Sequence, residues 1–233
     1  MRAVILAGGK GKRLMPYTAI LPKPLMPVGD RPILEIIILQ LKRCGFTHIT
    51  MAVGHLASLI QTFFGDGSRW GVKIDYSIED SPLGTAGPIG LIDDLSDDFL
   101  VINGDILTDL NFALLMEQHK QSGAMATVSS YEKKVEITLG ILETEQNRVT
   151  KYIEKPTLTY RVSMGVYAMN VSVLTYITKG APLDFPDLFT SLVAADERVM
   201  SYDFDGVWFD IGRVEDYEEA VVSFQAHTNI FLT

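Results

Sequence analysis

A single cysteine stands among 233 residues. Cys44 therefore has no partner for an internal disulfide, and a zinc cluster built on thiolates is excluded. It lies near the end of an apolar helical stretch, where a buried structural thiol is expected rather than a nucleophile. Histidine is scarce too: His48, His55, His119 and His227 are the four, and their spacing matches no metal-binding pattern. Positive charge is in deficit, with 20 Lys and Arg against 29 Asp and Glu and a net charge of −9. Long-range attraction to nucleic acid or to an anionic membrane is thereby excluded as a driving force. The apolar stretch Ile33–Leu41 is broken by Glu35 and falls short of the ~20 residues that cross a bilayer. The amino terminus shows no secretory pattern, since Ala3–Ala7 opens directly into glycines. Internal repeats, low-complexity tracts and flexible linkers are missing. These absences point to a cytoplasmic protein with neither nucleic acid nor membrane as partner.

What is present is an ordinary globular composition, 47% hydrophobic and 21% charged, enough for one large core. Ala3–Leu6 is a continuous aliphatic run, as a strand buried on both faces requires. Asp30 and Pro32 read as a helix start, Ile33–Arg43 as its body and Gly45 as its stop. Strands are expected at Ile49–Val53, Val72–Ile78, Phe99–Ile102 and Ala124–Ser130. Helices are expected at Leu56–Phe64, from near Thr85, and at Asn111–Gln121. This alternation predicts an α/β fold with a doubly wound, mostly parallel, Rossmann-like sheet. The rhythm then changes. Leu139–Leu142 and Val149–Ile153 flank a polar turn and read as a hairpin. Val162–Met169 reads as a strand, and Val171–Thr178 and Glu215–Gln225 as helices. The expected plan is one domain: a main-sheet part over about 1–130, a small β-rich lobe over about 131–180, and a closing segment over about 181–233.

The first strand ends in Gly8-Gly9-Lys10-Gly11-Lys12-Arg13. Glycines after a buried strand let backbone N–H groups approach phosphates closely, although a tight turn with solvated charges would read the same way. A P-loop needs Ser or Thr after its Gly-Lys; here Arg13 follows Gly11-Lys12. A dinucleotide fingerprint needs a third glycine where Leu14 stands. A kinase or a dehydrogenase is therefore not indicated. Farther on, Pro22 and Pro24 flank Lys23, fixing the backbone around one ammonium. Asn103-Gly104-Asp105 sets an aspartate just past a buried strand, where open α/β sheets bind ligands and where Mg²⁺, which prefers a few carboxylates plus substrate oxygens, could be held. Asp210 lies in the apolar run Val207-Trp208-Phe209-Asp210-Ile211, a costly place for a carboxylate unless it is paired or metal-bound.

Gly8–Pro16 together with Pro22-Lys23-Pro24-Leu25-Met26-Pro27-Val28 resembles the signature of the sugar-1-phosphate nucleotidyltransferase family. The resemblance covers nearly the whole chain. It implies an Mg²⁺-dependent enzyme that joins a nucleoside triphosphate to a sugar 1-phosphate and releases pyrophosphate. Arg13 and Lys23 would grip the triphosphate. Leu6, Gly8, Gly9, Gly11, Lys12, Glu79, Gly84, Thr85 and Gly104 would complete the nucleotide site, with Asp105 and Asp210 as Mg²⁺ ligands. Glu154-Lys155-Pro156 matches a family triplet, which assigns Lys155 to the attacking phosphate and Glu154 to the sugar ring. Asn103, Gly140 and Ser163 join that side, Ser163 standing where the family usually has Asn.

At Glu79 a carboxylate could accept both guanine N–H groups, whereas thymidylyl- and uridylyltransferases typically carry Gln there. Pro82-Leu83-Gly84-Thr85-Ala86-Gly87 resembles mannose- and heptose-1-phosphate guanylyltransferases. GTP is the favoured nucleotide, with dTTP, UTP or CTP as alternatives. A catalytically silent paralogue that binds a nucleotide sugar is the alternative of another class. The chain ends soon after the Asp210 motif, so a catalytic core alone is expected, without the extra domain of some family members. Homo-oligomers are common in the family.

Overall fold

The computed structural model describes residues 1–232. In chain order its elements are β1 (Arg2–Ala7), β2 (Pro27–Val28), β3 (Arg31–Pro32), α1 (Ile33–Arg43), β4 (His48–Val53), α2 (Ala57–Phe64), β5 (Lys73–Ile78), β6 (Phe99–Asn103), β7 (Ile106–Thr108) and α3 (Phe112–Ser122). There follow β8 (Ala126–Glu136), β9 (Ile141–Glu145), β10 (Arg148–Ile153), β11 (Thr157–Met169), α4 (Phe185–Ala194), β12 (Val199–Phe204), β13 (Trp208–Asp210), α5 (Val214–Ala226) and α6 (Thr228–Leu232). Seven strands form one sheet in the order β12-β8-β11-β6-β1-β4-β5. β1 runs parallel to β4 and β6, β4 to β5, and β12 to β8; only β11 opposes its neighbours. The sheet is mixed and mostly parallel, with helices on both faces.

The aliphatic run of β1 explains its central place. Ala3 and Ile5 face one core, with α1, α2, α3 and α5; Val4 faces another, with α4 and the turn around Ile89. Successive strand side chains point to opposite faces, so a strand buried on both sides must be apolar throughout. α1 is buried almost all round. Its one buried carboxylate, Glu35, accepts from Arg31 at 2.6 Å, and its Gln40 amide donates to the Thr108 carbonyl at 2.7 Å. The second bond fixes the end of β7. Among the described residues no helix is long and apolar enough to cross a membrane.

Several expectations are corrected. No α-helix starts near Thr85; a short 3₁₀ segment spans Gly87–Leu91, because Gly84, Gly87, Pro88 and Gly90 disfavour a longer helix. Val171–Tyr176 is likewise 3₁₀, begun by the Asn170 side chain accepting from the Ser172 N–H; alternating β-branched residues weaken an α-helix there. Asp30 is in the turn between β2 and β3, and Pro32 is the residue that precedes α1. Cys44 is half-buried rather than buried. α4, α6, β2, β3, β7, β12 and β13 have no counterpart among the elements expected from the sequence.

The hairpin of β9 and β10 is present. Gln146 and Asn147 both adopt positive φ, 45° and 65°, the conformation of a two-residue turn matched to strand twist. β8 and β11 run through the main sheet and then continue outward as a ribbon, pairing Glu132–Glu136 with Thr157–Arg161. Nearly all residues of this ribbon and of the hairpin are exposed, so the sheet, not the ribbons, carries the stability. Ile37→Ala is expected to lower the unfolding free energy by about 2–5 kcal/mol, while Leu142→Ala stays within about 0.5 kcal/mol. Urea denaturation of the two variants checks this contrast; equal losses would contradict it.

Candidate active site

The parallel strands β1, β4, β5 and β6 all end on one edge of the sheet. The segments that follow them open on a cleft of about 810 Å³, at the carboxyl ends where open α/β sheets bind ligands. Gly8 to Arg13, Gly54, Glu79 to Thr85, Asn103 to Asp105, Lys23 and Gly212 line it. The nucleotide-side residues named from sequence are thus brought together.

Glu79 explains two glycines. A Cβ on Gly8 would fall 2.2 Å from its Oε1, and one on Gly54 2.6 Å. The carboxylate therefore lies across the ends of β1 and β4. Its Oε2 accepts from the Leu83 N–H at 3.2 Å. Gly11 has φ +59°, and its carbonyl accepts from the Thr18 hydroxyl at 2.8 Å. Gly9 has no neighbour within 4 Å of where a Cβ would be, so its backbone faces open space. A Cβ on Gly212 would come 3.2 Å from Arg13 Nη2; glycine there leaves room for the guanidinium. Gly54 and Gly212 were not named as site residues from the sequence. Gly212 stands within the quoted Asp210 motif, whereas Gly54 gives only the common signal of a glycine after a strand.

The two aspartates meet through a short ladder. β7 and β13 pair antiparallel with Asp210 opposite Ile106, and the Ile211 N–H donates to the Asp105 carbonyl at 3.1 Å. Lys23 forms an ion pair with Asp105 Oδ2. Asp105 Oδ1 is buried with no hydrogen-bond partner among the described residues. Asp210 is solvent-exposed and, unlike Asp105 and Gly212, is not among the residues that line the cleft, yet it is packed among protein atoms. That desolvation, and then the charge of Asp105, holds its carboxyl above the usual range, against the opposing pull of Lys23 and Arg13. An orphan carboxylate oxygen beside a second, destabilised carboxylate fits a divalent cation, and Mg²⁺ binds through one or two carboxylates plus substrate phosphates.

The other grouping of acids is different. His48, Asp75 and Asp94 lie within 4.8 Å of one another at the opposite edge of the sheet, a cluster that their sequence spacing hides. Lys73 takes Asp75 at 2.7 Å and Arg2 takes Asp94 at 2.6 Å. Both acids are held below the usual range first by those hydrogen bonds, so protein cations already occupy this cluster.

The sugar-side residues are spread out. Asn103 lines the cleft and packs under Gly165, whose Cβ would fall 2.6 Å from Asn103 Nδ2; Gly165 sits at φ +72° within the bulge of β11. Gly140, Glu154, Lys155 and Ser163 are outside the cleft lining. Gly140 leaves room for the Tyr152 hydroxyl, 2.3 Å from where a Cβ would be, and that hydroxyl donates to Glu154 at 3.0 Å. Lys155 has φ +42°, and its exposed ammonium has only Glu154, at 3.9 Å. Ser163 donates to the Tyr167 hydroxyl at 3.1 Å. Tyr167 is pushed up from its ordinary value by burial, opposed by the Ser163 bond and reinforced by the charge of Asp210.

The nucleotidyl transferase family model matches residues 2–226. This chain belongs to the nucleotidyl transferase family. Two relatives of this nucleotidyl transferase are each 34% identical to it. They are a UTP–glucose-1-phosphate uridylyltransferase of Synechocystis sp., over 95% of this chain and 62% of its own length, and a mannose-1-phosphate guanyltransferase of Yarrowia lipolytica, over 93% and 62%. The chain thus spans about 62% of the length of these curated relatives. Among solved structures, HddC from Yersinia pseudotuberculosis complexed with GMP-PN is similar, with a TM-score of 0.73, 25% identity and coverage of 96% of this chain and 99% of that one.

Because the Asp210 carboxyl sits above its ordinary value, its contribution to stability is present in acid. It is lost as pH rises from near 3.8 through the elevated value. At pH 7 without metal, Asp210→Asn is expected to raise Tm. The gain should shrink toward pH 4, and any stabilisation that Mg²⁺ gives the unsubstituted chain should be lost in the variant. Calorimetry with and without Mg²⁺ checks it; a lower metal-free Tm in the variant would contradict the assignment.

Proposed function

We propose that this nucleotidyl transferase moves a nucleoside monophosphate from an NTP, with GTP preferred, to a sugar 1-phosphate and releases pyrophosphate. The observation that carries this reading is the unpartnered Asp105 oxygen beside Asp210, with Lys23 on the other oxygen, under a glycine loop at the carboxyl edge. The uridylyl- and guanylyltransferase relatives support the reaction class. The nucleotide part is assigned to about 1–130, the sugar lobe to about 131–180 and the closing segment to about 181–233, in a protein of the cytoplasm.

In this mechanism an oxygen of the sugar phosphate forms a bond to the α-phosphorus. The bond from that phosphorus to the β-bridging oxygen breaks, and its electron pair leaves with pyrophosphate. The attacking oxygen is already anionic, so neither a general base nor a covalent enzyme intermediate is needed. Catalysis is positioning and charge stabilisation. The backbone N–H groups of Gly8, Gly9 and Gly11, with Lys12, hold the phosphate chain. Arg13 and Lys23 balance the charge that develops on the leaving group. Asp105 and Asp210 would hold Mg²⁺, which supplies charge neutralisation at the phosphates. Lys155 and Glu154 are assigned to the sugar phosphate, together with Asn103, Gly140 and Ser163.

The preference for GTP rests on Glu79. Its Oε2 is engaged by Leu83, which fixes the carboxylate while its Oε1 keeps acceptor capacity for guanine N–H donors. The HddC complex with GMP-PN supports that choice. The equally similar uridylyltransferase favours UTP as the second reading.

A pyrophosphate-release screen of the NTPs against sugar 1-phosphates, with and without Mg²⁺, tests the whole proposal, and no turnover of any pair would overturn it. Lys23→Ala is expected to cut kcat/KM by about 10²-fold, the scale of one lost electrostatic donor; near-normal release would refute its role. Glu79→Gln is expected to move preference from GTP toward UTP or dTTP by about tenfold, and an unchanged base ranking would remove Glu79 from base selection.

A further inference from the structure

Asp184 occupies the N-cap position of α4, yet its side chain caps nothing in that helix. An aspartate at that position ordinarily accepts from the N–H groups of its own first turn. Here its Oδ1 accepts instead from the backbone N–H of Thr85 at 2.8 Å and from the Thr85 hydroxyl at 3.1 Å. The Phe185 N–H, the first of α4, donates back to the Thr85 hydroxyl at 2.9 Å. The cap is thus exchanged between two segments 99 residues apart.

Backbone contacts surround this exchange. The Ala86 and Gly87 N–H groups donate to the Leu183 carbonyl at 2.9 and 3.0 Å, and the Leu183 N–H donates to the Leu83 carbonyl at 2.9 Å. The two chains lie so close that a Cβ on Gly84 would fall 2.6 Å from the Leu183 oxygen, and one on Gly87 2.8 Å from the Ala181 oxygen. Gly84 also has φ +77°. The loop held in this way lines the cleft, and its Leu83 N–H is the group that fixes Glu79. The Thr85 hydroxyl both donates to Asp184 and accepts from Phe185, so it is engaged by protein on both counts.

We infer that Asp184 is a positioning residue for nucleotide recognition: through Thr85 it holds the loop 83–87, and with it Glu79, in the geometry that receives the base. The inference rests on the nucleotide-transfer reading above and goes beyond it, because Asp184 lies outside the residues that line the cleft. α4 makes no use of the Asp184 carboxylate as a cap, so its removal leaves the helix intact while loosening the loop at Thr85, where the Phe185 N–H bond and the Leu183 backbone bonds remain.

The test uses Asp184→Ala, Asp184→Asn and Thr85→Val. Losing hydrogen bonds to a charged acceptor is expected to raise the NTP KM about tenfold in Asp184→Ala and Thr85→Val. The sugar-phosphate KM and the far-UV circular dichroism should not change. Asp184→Asn keeps the accepting oxygen and should restore the NTP KM. Hydrogen exchange of the Thr85, Ala86 and Gly87 amides in the ligand-free protein should accelerate in Asp184→Ala and return in Asp184→Asn. Faster exchange with an unchanged NTP KM would overturn the positioning role, and so would equal rises in both KM values. If the unsubstituted chain turns over no substrate pair, the transfer reading fails by itself. Equilibrium dialysis of GTP with Mg²⁺ then decides the clamp: weaker binding in Asp184→Ala supports it, and unchanged binding overturns it.

Discussion

The whole site depends on keeping two carboxylates together at the end of a buried strand. Isolated charges in such a place are costly, and like charges close together raise the cost further. The fold answers with Lys23, pinned between Pro22 and Pro24 and ion-paired with one oxygen of Asp105. It leaves the other oxygen without a partner and Asp210 with a carboxyl above its ordinary range. That residual instability is consistent with a site that is complete only when a cation and phosphates arrive. The parts that hold it are themselves firmly anchored: the β7–β13 ladder is tied to α1 by Gln40 and to β6 by continuity of the chain. Strain at the centre is thereby opposed by packing outside it.

The parallel half of the sheet was legible in the sequence because its physics is local. A strand buried on both faces must be aliphatic, as Ala3–Leu6 and Phe99–Ile102 are, and α1 carries its boundaries in Pro32 and Gly45. What escaped is what depends on pairing. β7 and β13 are three residues each, too short to show a period, and become strands only because each finds the other. β12 is an edge strand whose side chains are mostly exposed or half-buried, so its alternation is weak. α4 went unread although Asp184, Pro186 and Asp187 are helix-start residues; its Asp184 carboxylate serves Thr85 rather than the helix. The expected helix near Thr85 failed for the same reason: its glycines allow close contact with the 181–184 segment rather than opening a helix.

The candidate site divides in the same way. The residues proposed for the phosphates stand on backbone at strand ends, and their glycines lie in continuous motifs. The nucleotide-side set therefore gathers in one cleft. The sugar-side set sits on ribbons that leave the sheet, where Gly140, Tyr152 and Glu154 form their own cluster and Lys155 is exposed. No periodicity in the sequence tells where such a ribbon points. Only Asn103, at the end of β6, belongs to both regions, and the bulge at Gly165 makes space for it.

This arrangement accounts for equal similarity to relatives named for different bases. On the proposed mechanism the transfer chemistry uses the triphosphate, Arg13, Lys23, Asp105 and Asp210, none of which depends on the identity of the base. On the same reading the base meets one loop after β5, set by Glu79 and stitched to the start of α4. A family can change that loop and its anchor while leaving the dicarboxylate centre alone, because the two are supported by different elements: α1 and the β7–β13 ladder on one side, and the 181–185 segment on the other. Overall identity is dominated by the shared scaffold and so carries little information about the base. On the proposed reading the discriminating information lies in a few side chains such as Glu79, and in the contacts that keep them still.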